Sequence, residues 1–163
     1  SRIEYGELKL NFEELDLENF FDKYVKSIIT LAKKKNIDIV YKPDHQGNII
    51  ADHQAFERIM NNLIDNAIKY SDKNSKITVS TFNEADEYIK ILVEDSGEGI
   101  SPEDKNHIFS RFYRTASARA TDNQGSGLGL AIVKHLVNSL NGEVGVQNSK
   151  TKGSVFWFTI PQS

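Results

Sequence analysis

Two β-branched and aromatic runs, Ile77-Thr78-Val79-Ser80-Thr81-Phe82 and Tyr88-Ile89-Lys90-Ile91-Leu92-Val93, are separated only by the polar stretch Asn83-Glu84-Ala85-Asp86-Glu87. So short a link leaves two such strands one simple arrangement, an antiparallel hairpin. A lone hairpin is marginal in water, so other elements must cover it. From Glu18 to Lys35 the residues Phe20, Phe21, Tyr24, Val25, Ile28, Ile29, Leu31 and Ala32 recur at helical spacing, and Lys33-Lys34-Lys35 suits the negative end of that helix. Asp52 is a good N-cap for a second helix, with apolar residues Phe56, Ile59, Met60, Leu63, Ile64, Ala67 and Ile68, ending near Tyr70-Ser71-Asp72.

The remaining segments complete a layered domain. Ile37 to Tyr41 and Asn48 to Ala51 read as short strands, and a short helix runs from Pro102 to about Phe109 with proline at its first position. Leu128 to Leu140 reads as a third long helix stopped at Asn141-Gly142. Glu143 to Asn148 and Ser154 to Ile160 form a final strand pair. The expected architecture is an α/β sandwich: one mixed, mostly antiparallel sheet of about five strands with three long helices on one face. Thr115 to Gln124 has no large apolar anchor and reads as a mobile loop.

Composition removes several classes of function. The 163 residues suit one domain, and 39% hydrophobic with 26% charged residues is ordinary for a globular chain. A net charge of -3 gives no basic excess for nucleic acid. The absence of cysteine excludes disulfides, thiolate nucleophiles and Cys-based zinc sites, and fits a reducing compartment. Apolar stretches fall short of the roughly 18 residues of a membrane span. His45, His53, His107 and His135 have neither metal-ligand spacing nor a Ser or Cys partner pattern, and read as surface or structural residues.

Four segments carry chemistry. Gly125-Ser126-Gly127-Leu128-Gly129-Leu130 leads directly into a helix, so free N–H groups and the helix N-terminus converge on one spot suited to phosphate. No Gly-Lys-Ser/Thr follows, so it is not a P-loop, and the same glycines would also ease a tight turn. Asp95-Ser96-Gly97-Glu98-Gly99-Ile100 ends a strand, where a carboxylate accepts from an exocyclic amine such as that of adenine, or closes a simple Asp-Ser-Gly turn. Asn62, Asn66 and Lys69 share a narrow arc of the second helix, suiting a hydrated Mg²⁺ ion and phosphates as well as plain solvation. In Phe109-Ser110-Arg111-Phe112-Tyr113-Arg114, aromatics alternate with arginines able to meet phosphate in pairs of hydrogen bonds.

In order, Asn66-Ala67-Ile68-Lys69-Tyr70-Ser71, the Asp95 segment, the Phe109 segment and the Gly125 segment closely resemble the N, first glycine, F and second glycine boxes of sensor histidine kinases. Lys152-Gly153-Ser154-Val155-Phe156-Trp157-Phe158-Thr159-Ile160-Pro161 resembles the last glycine box, with Ser154 where Thr is usual. The resemblance runs from about Gly6 to Pro161. It implies the ATP-binding sandwich of the gyrase, heat-shock chaperone and histidine kinase superfamily, occupying 7–163, with 1–6 the remnant of a preceding helix or linker.

By that resemblance Asn66 holds Mg²⁺, Lys69 touches the phosphates, Tyr70 stacks on adenine and Asp95 takes its amine. Gly97, Gly99 and Ile100 line the base pocket, and Ser154 joins the nucleotide-binding set. Arg111 or Arg114 reaches the γ-phosphate, and Gly125, Gly127, Leu128 and Gly129 cradle the phosphate chain. The residue four before the Mg²⁺ asparagine separates branches of this superfamily, and ATPases of the gyrase and chaperone type resemble one another in having Glu there. Here that position is Asn62, whose amide cannot accept a proton near neutral pH, so slow hydrolysis is expected.

No histidine is followed by Glu, so the family's acceptor motif is absent. The resemblance then implies a cytoplasmic catalytic domain excised from a membrane-anchored sensor. Its expected partners are ATP, the parent's histidine phosphoacceptor and dimerisation domain and, indirectly, a response regulator, with no nucleic acid and no membrane contact. A stand-alone serine kinase of the anti-sigma type and a non-catalytic ATP-sensing module are the alternatives.

Overall fold

The computed structural model describes residues 9–85, 87–115 and 127–163. In chain order the elements are β1 (Glu13–Leu15), α1 (Leu17–Lys33), β2 (Asp38–Asp44), β3 (Ile49–Ala51), α2 (His53–Tyr70), β4 (Lys76–Glu84), β5 (Tyr88–Glu94), α3 (Pro102–Lys105), α4 (Gly129–Ser139), β6 (Val144–Asn148) and β7 (Ser154–Pro161). The main sheet has five strands in the order β2-β4-β5-β7-β6, and β1 with β3 forms a separate pair. β2 runs parallel to β4, and every other pairing is antiparallel, so the sheet is mixed as expected.

Alternation along the central strands builds the core. Ile77, Val79 and Thr81 of β4, Ile89, Ile91 and Val93 of β5, and Phe156, Phe158 and Ile160 of β7 are all buried. Register places Thr81 opposite Ile91, and Ile91 opposite Phe158. The helices answer with Phe21 and Ile28 from α1, Phe56, Ile59, Met60, Leu63 and Ile64 from α2, and Val133 and Val137 from α4. Phe56 joins the layers, its ring 4.9 Å from that of Phe20 and 5.8 Å from that of Phe158.

Several boundaries differ from the periodicity, each for a physical reason. α1 stops at Lys33 rather than Lys35, because Asn36 takes φ 55 and the N–H groups of Lys35 and Ile37 both return to the Ala32 carbonyl. β2 continues through Pro43, which an edge strand with one neighbour tolerates. α3 ends at Lys105 instead of near Phe109. Turns follow it, with the His107 N–H on the Asp104 carbonyl and that of Ser110 on His107, and they let the adjacent residues Ile108 and Phe109 both pack on the core. The loop expected from Thr115 to Gln124 lies outside the described residues except for Thr115, as does the 1–6 segment.

Replacing Phe56, fully buried between helix and sheet, by alanine is expected to lower unfolding free energy by about 3–5 kcal/mol. Urea denaturation of both proteins checks this through a lower midpoint at unchanged slope.

Candidate nucleotide-binding site

The site begins on α2. Asp52 caps it by accepting from the Ala55 N–H at 2.9 Å. With the apolar stripe turned to the core, Asn62 and Asn66 are left half-buried at its border and Lys69 exposed beyond them. Asn62 Nδ2 donates to the Gly129 carbonyl at 3.3 Å, joining this polar face to the first residue of α4. The junction spans 67 residues of sequence. α4 starts without a side-chain cap or an acidic residue in its first turn, and among the described residues beyond its chain neighbours and its own helix backbone no atom lies within 4 Å of where a Gly129 Cβ would sit. Uncapped N–H groups, a helix dipole and open space together suit an anion.

The preceding backbone is locked. Phe112 N–H donates to the Gly127 carbonyl at 2.9 Å, and a Cβ on Gly127 would lie 2.6 Å from the Phe112 carbonyl carbon. Gly127 also has φ +79, so only glycine meets both demands without strain. Leu128 is half-buried beside it, and Gly125 lies outside the described residues.

Asp95 follows β5 and is only 3% exposed. Its Oδ1 accepts from the N–H groups of Gly97 at 2.9 Å and Ser154 at 3.1 Å, while Oδ2 accepts from the Ser154 hydroxyl at 2.9 Å. Burial pushes its pKa above the ordinary carboxylate value against the pull of these hydrogen bonds, with the Glu94 charge adding to the rise. The surrounding backbone is tight: a Cβ on Gly153, at φ +109, would stand 2.1 Å from the Asp95 carbonyl oxygen. Ser154 therefore acts on Asp95 itself, through both backbone and side chain.

Tyr70 ends α2 half-buried, with its carbonyl so near Gly97 that a Cβ there would lie 2.4 Å away. The Ser96 N–H donates to Ser71 Oγ at 3.2 Å, drawing the same two segments together. Ile100 is buried, and its N–H donates to Asn148 Oδ1 at 2.9 Å; Gly99 sits beside the same Asn148 oxygen. Asn62, Asn66, Lys69 and Tyr70 thus share one helix, joined to the Asp95 segment at one end and to α4 along its flank.

The F-box residues lie beside the stem of α4. Arg111 is exposed with its guanidinium 5.7 Å from the Phe112 ring, whereas Arg114 is half-buried. Phe112 is 64% exposed at φ 63, and the Tyr113 hydroxyl donates to the Asp104 carboxylate. His107 is exposed with its ring 5.5 Å from that of Tyr113. Sequence reading gave no site role to Asn148, nor to Lys152, whose Nζ pairs with Asp72 at 2.7 Å. Neither residue stands in a local pattern that signals a contact across the fold.

A layered sheet with an uncapped helix start against an asparagine-bearing helix, and a buried carboxylate at that helix's far end, defines an ATPase sandwich. The chain belongs to the family of histidine kinase-, DNA gyrase B- and HSP90-like ATPases, whose model matches residues 51–163. It is 35% identical over 138 residues to the sensor protein CiaH of Streptococcus pneumoniae, which covers 85% of this chain and 31% of CiaH. This chain therefore spans about a third of the length of that curated relative. Full-length ShkA in complex with AMPPNP superposes with a TM-score of 0.85 at 27% identity, covering 99% of this chain and 33% of ShkA. The histidine kinase ThkA in complex with the response regulator protein TrrA gives a TM-score of 0.80 at 27% identity, over 99% of this chain and 45% of ThkA.

The raised pKa of Asp95 carries a sign. Protonation stabilises the fold, fully so below the unfolded value near 3.8, and that contribution is lost as pH rises through the raised native value. Asp95→Asn keeps a carbonyl oxygen for the two N–H donors and places an NH2 donor where Oδ2 stood, with the Ser154 hydroxyl turned to accept from it. Calorimetry is expected to show the variant melting no lower than the parent near neutral pH, with its advantage shrinking as the parent is acidified through the native pKa of Asp95.

Proposed function

We propose that residues 7–163 are the ATP-binding catalytic domain of a sensor histidine kinase, transferring the γ-phosphoryl group to a histidine on a separate helical acceptor domain. The observation that carries this reading is the Asn62–Gly129 junction, which sets the asparagine face of α2 against the open start of α4. Asp95, at the other end of that helix, suits the adenine amine because an ionised carboxylate only accepts. Tyr70 covers the base and Gly97, Gly99 and Ile100 line its pocket. Ser154 orients Asp95, and Gly125, Gly127, Leu128 and Gly129 cradle the phosphates.

Asn62 and Asn66 offer neutral amide oxygens, and among the described residues no cluster of His, Asp or Glu could hold a metal by itself. That donor set fits a magnesium ion that keeps waters and takes its other ligands from phosphates, with Asn66 as its protein ligand. Bound there, the ion would neutralise phosphate charge. Lys69 and either Arg111 or Arg114 would balance the remaining charge as the phosphoryl group moves.

In the transfer, the unprotonated ring nitrogen of the acceptor histidine forms a bond to the γ-phosphorus while the bond to the β-phosphate oxygen breaks, and ADP leaves with that electron pair. The other ring nitrogen releases its proton to solvent. An imidazole with a reference pKa of about 6.5 is largely neutral at pH 7 and needs no general base. Water does need one, and Asn62 supplies none. ThkA, bound to a response regulator, is the precedent for a regulator of this class as the onward recipient. No helix among the described residues is long and apolar enough to cross a membrane. A cytoplasmic placement in an anchored parent accords with the reading.

Calorimetric titration is expected to show the parent binding AMPPNP with Mg²⁺ and preferring it to the guanine analogue. Asp95→Asn should lose most of that affinity. With labelled ATP, acid-labile and base-stable label should appear on an added acceptor hairpin from the same parent and not on this chain alone. Label on this chain without the hairpin, lost in His107→Ala, would overturn the reading. Asn62→Glu is expected to raise ATP hydrolysis toward the roughly 10²–10⁴-fold typical of a general base, measured as phosphate release.

A further inference from the structure

The carboxyl end of α2 presents carbonyls that the helix itself leaves unmatched. The Ala67 carbonyl takes the Ser71 N–H at 3.0 Å, and that of Tyr70 is pressed against Gly97. The two between them, on Ile68 and Lys69, both accept from one group: Lys35 Nζ, at 2.9 and 3.0 Å. Lys35 belongs to the turn after α1, more than thirty residues earlier in the chain. Its ammonium lies at the negative end of the α2 dipole, where a charge-assisted donor is worth most.

The turn that delivers Lys35 is itself held. Its N–H returns to the Ala32 carbonyl at 3.1 Å, Asn36 Nδ2 donates to Asn74 Oδ1 at 2.5 Å, and the Asp38 N–H donates to the Ser75 carbonyl at 3.0 Å. Asn36 and Asn74 both have positive φ, so two left-handed turns are bonded to each other with Lys35 beside them. Lys33 and Lys34 are exposed, while Lys35 is half-buried.

We infer that Lys35 is a positioning residue for the nucleotide site, its ammonium fixing the last turn of α2 and with it Lys69 and Tyr70. This rests on the proposed roles of Lys69 at the phosphates and Tyr70 at the base. Lys35 acts through the carbonyls it binds. Without it the final turn loses its two cross-chain bonds and frays, and both contacts lose their fixed origin.

The test compares the parent with Lys35→Met, which keeps the stem and removes the donors, Lys35→Arg, which restores donors and charge, and Lys34→Met as an exposed control. AMPPNP affinity in the presence of Mg²⁺ is read by calorimetry, and backbone order by hydrogen exchange at Lys69, Tyr70 and Ser71. Lys35→Met is expected to bind about tenfold more weakly with faster exchange confined to those residues. Lys35→Arg should recover most of the affinity, and Lys34→Met should match the parent. Parental affinity in a folded Lys35→Met, or a loss that Lys35→Arg does not recover, would overturn the inference while leaving the functional reading intact. A parent that bound no AMPPNP would instead overturn the reading on which it rests.

Discussion

A buried carboxylate organises the meeting of strands, helix and loops. Asp95 holds no more than a sliver of exposed surface, yet it is stapled by three donors from two chain segments, Gly97 just after it and Ser154 at the start of β7. These bonds fix where β5 ends relative to the start of β7. Because Gly97 also lies against the Tyr70 carbonyl, the close of α2 is set by the same contact. Burying such a group is costly unless its lone pairs are used, which is why the glycines and the hydroxyl crowd around it.

From that point the site extends along α2. Its inner face is committed to the core by Phe56, Ile59, Met60, Leu63 and Ile64, so the helix cannot rotate without exposing large apolar side chains. Asn62, Asn66 and Lys69 are therefore held on the flank that borders α4. The open start of α4 depends in turn on the Phe112–Gly127 backbone bond, which requires the residue without a side chain. The candidate site depends on packing: its polar groups are few, and rigid apolar contacts aim them.

Local patterns were legible wherever neighbours in sequence are neighbours in space. The Asp52 cap, the β4–β5 hairpin, the β6–β7 pair and the glycine-led start of α4 all follow from short-range rules. The same rules misjudged α3, because two adjacent apolar residues, Ile108 and Phe109, both needed the core and a regular helix would have turned one of them away. They also missed β1, whose few residues are a strand only because β3 pairs with them. Lys35 was read as serving the end of its own helix; it reaches instead to the end of α2.

The order of the motif segments, an asparagine rather than a carboxylate at position 62, and the absence of cysteine were settled by the sequence alone, since residue identity decides chemistry. Tertiary structure decided which of those groups meet: Asn62 with Gly129, Asp95 with Ser154, Asn148 with Ile100, Lys35 with α2. The physical reason is range. Capping, alternation and helical spacing act over a few residues, whereas these contacts join segments dozens of residues apart and exist only once the shared apolar core has fixed the distances between them.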